Sequence, residues 1–156
     1  MTLPIVLYIL QLAATLFMTG LIWFVQIVHY PLFATVENNS TAAGFREYET
    51  RHANRTSFVV FPPMAVELMT ALAALHPALR PTLLTQNAAV ASAILVTAIW
   101  ISTGLVQVPL HNRLASDPGP QTIRRLVSSN WMRTLLWTAR AVLLSSVLTR
   151  AIVLSS

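Results

Sequence analysis

The sequence predicts an all-α integral membrane protein, a four-helix up-down-up-down bundle formed by a single transmembrane domain over residues 1–156. Three observations carry this reading. Hydrophobic residues make up 55% of the chain and charged residues only 10%, against about 25% charged in an average soluble domain. The mean hydropathy is +0.64. Four apolar runs alternate with short connections that carry most of the arginines, the pattern of a polytopic membrane protein. Four glycines and nine prolines exclude a low-complexity or collagen-like chain. With no cysteine, disulfides, thiolate nucleophiles, iron–sulfur clusters and cysteine-ligated zinc are excluded.

The first run, residues 3–28, has no charged residue and exceeds the ~20 residues a helix needs to cross hydrocarbon. It lacks a basic leading region and is too long for a signal-peptide core, so it is expected to stay in the mature protein. A short amphipathic helix is expected next, over 41–57. Asn38, Asn39, Ser40 and Thr41 offer N-caps, and Phe45, Tyr48, His52 and Thr56 follow at helical spacing. Glu47 and Arg51 stand at i, i+4 in the favourable order for a surface pair. This helix leads into the second span, 56–75, whose only charge in its apolar part is Glu67. Pro62 and Pro63 are expected to bend that span, because they leave the carbonyls of Phe58 and Val59 without helical partners. The third span, 88–110, is uncharged. Asp117-Pro118-Gly119-Pro120 reads as a turn. From Gln121 a helix runs through Arg124 and Arg125 into the fourth span, 131–154, which Arg133, Arg140 and Arg150 interrupt.

All ten basic residues are arginines, and the pI is near 11.1. They form no long cluster, so nucleic acid is not an expected partner; the lipid bilayer is. Arg46, Arg51, Arg55, Arg113, Arg124, Arg125 and Arg133 belong to two connections on one face, against Arg80 and Arg150 on the other. By the positive-inside rule both richer connections are cytoplasmic and both termini lie outside, in a multi-pass protein of the cell inner membrane. A weak internal repeat relates the two halves. Val25-Gln26-Ile27-Val28-His29-Tyr30-Pro31-Leu32 closes the first span, and Val106-Gln107-Val108-Pro109-Leu110-His111 closes the third.

Two constellations could carry chemistry. His29, His52 and His111 fall at one end of the predicted bundle, and Glu49 lies three residues before His52, a Glu-x-x-His unit on one helix face. Three imidazoles and a carboxylate suit a transition metal ion: Fe, Mn, Zn or Cu. Gln26 and Gln107 are placed to orient these ligands from behind. Haem held by two of the histidines is a lower-ranked alternative. The second constellation is Glu67 with Arg140, at similar depths in spans two and four. A lone charge there costs ~2.5–3.5 kcal/mol on insertion scales, so the two are expected to pair. They form either a structural clamp or the polar floor of a cavity, with Arg140 free to hold a ligand. His76 reads as a plain loop residue.

The stretch TGLVQVPLHNRL over 103–114, followed by Asn130, Trp131 and Arg140, resembles the anthrone-oxygenase-like family of small four-helix membrane proteins. The likeness covers mainly residues 97–142. Pro109, Asn112, Leu114, Trp131 and Arg140 would be the corresponding positions. The first half, with His29 and the segment from Phe45 to Arg55, looks more like a branch of that family without assigned activity. Assigned members oxidise aromatic polyketide-type substrates, so the resemblance implies an oxidoreductase rather than a transporter. The leading expectation is therefore a metal-dependent oxidoreductase acting on a hydrophobic small molecule from the bilayer. Glu67 and Arg140 would serve in catalysis, with Asn112 and Trp131 near the substrate. The rival is a non-catalytic protein: an accessory subunit of a membrane complex, or a small-solute carrier acting as a homo-oligomer.

Overall fold

The computed structural model describes residues 2–155. Among them there is no β-strand, and the chain forms four long helical rods. The first joins α1 (Leu3–Phe24), a π-helical segment (Val25–His29) and α2 (Tyr30–Asn38). The second is α3 (Ala42–Ala73). The third joins α4 (Gln86–Ser102), a second π-helical segment (Thr103–Gln107) and α5 (Val108–Ser116), and the fourth is α6 (Pro120–Ser155). Each rod holds a stretch long and apolar enough to cross a membrane, and the protein is an integral membrane protein on that ground.

Local chemistry explains the starts of the rods. The Thr41 hydroxyl accepts the Gly44 N–H at 3.1 Å and so caps α3. Thr85 does the same for Ala88 at 3.2 Å ahead of α4. The expected helix over 41–57 and the second span are one element, because α3 continues through Pro62 and Pro63.

The other two mid-rod prolines are handled differently. A proline has no N–H to return to the carbonyl four residues back. Just before Pro31 the Tyr30 N–H reaches Val25, and just before Pro109 the Val108 N–H reaches Thr103, each five residues back. In each case a wide turn takes up the helix where the proline breaks its ladder. The first π-helical segment opens one copy of the sequence repeat, and the second ends on Val106 and Gln107, the first two residues of the other copy.

The rods pack inside out relative to a water-soluble bundle. α1 lies against α3 and α6, and α4 against α3 and α6. Phe17, Phe24, Phe58, Phe61, Met69, Leu105 and Leu135 are exposed, whereas Gln11, Thr15, Glu67, Ser92, Thr134 and Arg140 are buried. Lipid tails are as apolar as leucine, so burial of apolar surface cannot drive the association. What lipid penalises is an unpaired polar group, and here those groups meet on the bundle axis. Apolar layers bracket them: Tyr8, Leu84 and Leu144 at one end, Met18, Ile99 and Trp137 in the middle, and Phe33, Phe45, Leu114 and Leu126 at the other end.

Candidate functional site

The fold brings Glu67 and Arg140 together, as the need to neutralise both charges requires. The two pair directly, and both are fully buried. Glu67 Oε1 also accepts the Thr15 hydroxyl at 2.8 Å, and Oε2 accepts the Trp137 indole N–H at 3.0 Å. Arg140 donates from Nε to Ser92 at 3.2 Å, and from its terminal nitrogens to Thr15 and to the Glu67 carbonyl. Gln11 donates to Ser92 at 3.0 Å and ties the first rod into the same network. Each nitrogen of this guanidinium and each oxygen of this carboxylate has a protein partner. Neither residue lines the cavity described below.

The histidines meet at the end of the bundle where both π-helical segments lie. His29 closes the first of these segments, Glu49 and His52 come from α3, and His111 comes from α5. His29 Nε2 stands 3.1 Å from His52 Nδ1. His52 Nδ1 also lies 3.2 Å from the Thr56 hydroxyl. His111 Nδ1 stands 2.5 Å from the buried Glu49 Oε1, and its Nε2 is 2.9 Å from the Tyr30 hydroxyl. The assignment that satisfies both contacts has His111 donating to Glu49 and accepting from Tyr30. Phe33 sets its ring edge-on to His29 and His52, with centroids 5.2 and 5.1 Å away, and so fixes the two imidazoles.

This arrangement differs from a four-ligand metal centre. Glu49 is turned toward His111 on another rod, and both nitrogens of His111 are engaged by protein groups. Among the described residues, no group of three or more His, Asp or Glu side chains is disposed to hold an ion. Two features do suit a cation. Ligands ~2.0–2.1 Å from one ion at tetrahedral angles lie ~3.3 Å apart, close to the His29–His52 nitrogen separation. Glu49 Oε2 is buried without a hydrogen-bond partner.

The hydrogen bonds of the two glutamines go to α6 rather than to the histidines. Gln26 accepts from Asn130 at 2.9 Å and donates to the Val127 carbonyl at 3.2 Å, and Gln107 donates to Ser129 at 2.9 Å. All three contacts fall on one stretch of α6, so the two repeat copies clamp the fourth rod through equivalent residues. Trp131 stacks edge-on against Trp23, with centroids 5.7 Å apart, and is not part of the cavity wall. Asn112 is. His76 caps a short turn by accepting the Ala78 N–H at 3.2 Å.

A cavity of about 480 Å³ lies directly against the cluster. Its lining includes apolar Met18, Ile22 and Val60 together with His29, Tyr30, His52 and His111. The lining residues that are themselves exposed include apolar Phe24, Val59 and Val108 and polar Asn54, Arg55 and Asn112. Both π-helical segments contribute to the wall, through Val25 and His29 and through Thr103 and Gln107. A π turn widens a helix locally, which suits it to border a cavity.

The wall also holds Arg133, a residue that reading the sequence as a boundary cation misses. It is only 7% exposed. Its NH1 donates to Asn130 at 3.2 Å, its guanidinium lies 5.1 Å over the Trp137 ring, and the Tyr30 hydroxyl is beside it. Its Nε is buried without a partner. The signal in the sequence was its place inside the apolar run of the fourth span, with no acidic residue nearby in the chain. No protein-family model, curated protein or solved structure matches the chain.

Proposed function

We propose that this membrane protein is an enzyme that draws a hydrophobic small molecule from the bilayer into the cavity and acts on it at the histidine cluster, as an oxidoreductase. One observation carries the reading: an apolar chamber of small-molecule size is lined by Tyr30 and His111, which belong to a hydrogen-bonded chain that runs on to Glu49. Ligand sites have this character, a largely apolar volume of about 300–1,000 Å³ with a few convergent polar groups. Buried Glu49 holds the Nδ1 side of His111, which fixes the ring with Nε2 toward the Tyr30 hydroxyl. In this geometry His111 can take a proton from a ligand through the Tyr30 hydroxyl, which passes its own proton to Nε2 as it receives the ligand's. Removing a proton raises the electron density of an aromatic or enolisable ligand, and dioxygen, which dissolves in the bilayer, is the co-substrate proposed to accept the electrons and be reduced. The resemblance to anthrone-oxygenase-like proteins supports the same class of reaction.

A bound transition metal ion is the second reading, favoured by the facing nitrogens of His29 and His52 and by the unpaired oxygen of Glu49. Such an ion would supply Lewis-acid or redox chemistry beside the same chamber. Glu67 and Arg140 belong to the clamp in either case, since no polar atom of theirs is left for a ligand.

The reading is tested with 9-methylanthracene, a neutral fluorescent aromatic, titrated into the protein in phosphatidylcholine nanodiscs with empty nanodiscs as the blank. Saturable one-to-one binding is expected, and Val60→Trp should abolish it by filling the chamber. Non-saturable partitioning, or binding that Val60→Trp leaves intact, overturns the reading in favour of an accessory subunit. Elemental analysis of protein purified without chelator or affinity metal decides the second reading: one equivalent of metal, lost in His29→Ala, supports it.

A further inference from the structure

We propose that the ligand of this cavity is a hydrophobic molecule with one anionic oxygen head group, a carboxylate or phenolate, that pairs with Arg133. The inference rests on the cavity being a ligand site and specifies what enters it. Its first support is an uncompensated charge. Among the described residues Arg51 pairs with Glu47 and Arg140 with Glu67, and His111 donates to Glu49; Arg133 is in none of these contacts. Arginine stays protonated under essentially all conditions, so a guanidinium that is nine-tenths buried calls for an anion. The protein gives it only an amide oxygen, an indole face and a phenol, and Nε has nothing.

The second support is the sign of the wall. Arg133 and Arg55 line the cavity, and no aspartate or glutamate does. Glu49 lies behind the wall, with its Oε1 held by His111, and is not among the lining residues. The third is position. Arg133, Tyr30 and His111 are all in the same wall, so a head group held by the guanidinium lies at the proton-transfer chain. Its apolar body would run along Met18, Ile22 and Val60. The planar fork of Arg133 matches two oxygens of a carboxylate, or the single oxygen of a phenolate with one N–H left over. The contrast with Arg140 makes the argument specific to this arginine. Both are buried in the same helix, but one is saturated by protein groups and the other is not.

The test compares 9-anthracenecarboxylate with its neutral carboxamide, two probes of nearly equal size, in phosphatidylcholine nanodiscs. Wild-type protein should prefer the carboxylate by about tenfold or more, the scale of a charge-assisted pair in a shielded site. Arg133→Gln should reduce that preference to about one while binding the carboxamide within about threefold of wild type. Arg133→Lys, which keeps the charge but loses the fork, should retain an intermediate preference; it also serves if the glutamine variant does not fold. Carboxamide binding without any preference for the carboxylate overturns this inference alone. If neither probe binds wild-type protein, the cavity reading falls and takes this inference with it. A third arm adds phosphatidylglycerol to the nanodiscs. If that lipid displaces the carboxylate competitively, the anion is a lipid phosphate and the small-molecule assignment is overturned.

Discussion

Glu67 and Arg140 direct every charged or donor atom toward protein partners, and this sets what mutation does to them. Either residue alone would be a buried charge in a low-dielectric bundle, and losing one partner of such a pair typically costs ~3–5 kcal/mol. Glu67→Gln and Arg140→Gln should therefore each lower the midpoint of thermal unfolding in detergent more than the double substitution does. Simple additivity would show that the two act independently. Gln26 supports a smaller prediction of the same kind. Gln26→Leu leaves the buried Asn130 amide and the Val127 carbonyl without their partner and should cost about 1–3 kcal/mol without abolishing 9-methylanthracene binding. Loss of binding at unchanged stability would place Gln26 in the site. At this scale the sequence shows where rare groups are but not whom they face. Three histidines at span ends and one acid opposite one arginine were legible, because such residues are scarce in apolar runs and must find partners. Arg133 counted as a boundary cation until its surroundings showed no carboxylate, and the glutamines were assigned to the nearest histidines although their side chains turn to α6.

The two π-helical segments show how an element can set a site that no single residue sets. An α-helix turns by about 100° per residue, so one residue accommodated in a wide turn rotates everything beyond it by roughly that angle. In the first rod this rotation decides whether His29 faces His52 or lipid. Deleting Ile27, whose side chain is exposed, should close the wide turn into ordinary helix and swing His29, Tyr30 and Phe33 off the bundle axis. Helix content by circular dichroism should stay near that of the wild type while saturable 9-methylanthracene binding disappears; a variant that binds normally would show that the wide turn is incidental. The prolines that accompany these segments, Pro31 and Pro109, were visible in the sequence, as was the faint repeat around them. The register change itself was not. An apolar run reads the same whether its carbonyls are taken four or five residues on, since lipid-facing positions accept any apolar side chain.

Taken whole, the molecule is polar along its axis and apolar outside, and its charges are unequally shared between its ends. Arg46, Arg51, Arg55, Arg113, Arg124, Arg125 and Arg133 flank two connections, while Arg80 and Arg150 lie toward the opposite end. Burial refines that count without reversing it. Arg133 faces the cavity, so its place in the chain is explained by the site, but the other six in its group are exposed and free to respond to the membrane potential and anionic lipid. On this basis we propose that the histidine cluster and the cavity mouth lie at the cytoplasmic boundary, with both termini outside. The absence of cysteine makes the test direct, since any introduced thiol is the only one. Ser40→Cys and Ser116→Cys sit in exposed positions at the two arginine-rich connections, and Thr82→Cys in the opposite one. In right-side-out vesicles a membrane-impermeant maleimide should label Thr82→Cys at once, and the other two only after permeabilisation. The reverse pattern would invert the molecule, turn the cavity mouth to the exterior, and require its ligand to arrive from the outer leaflet.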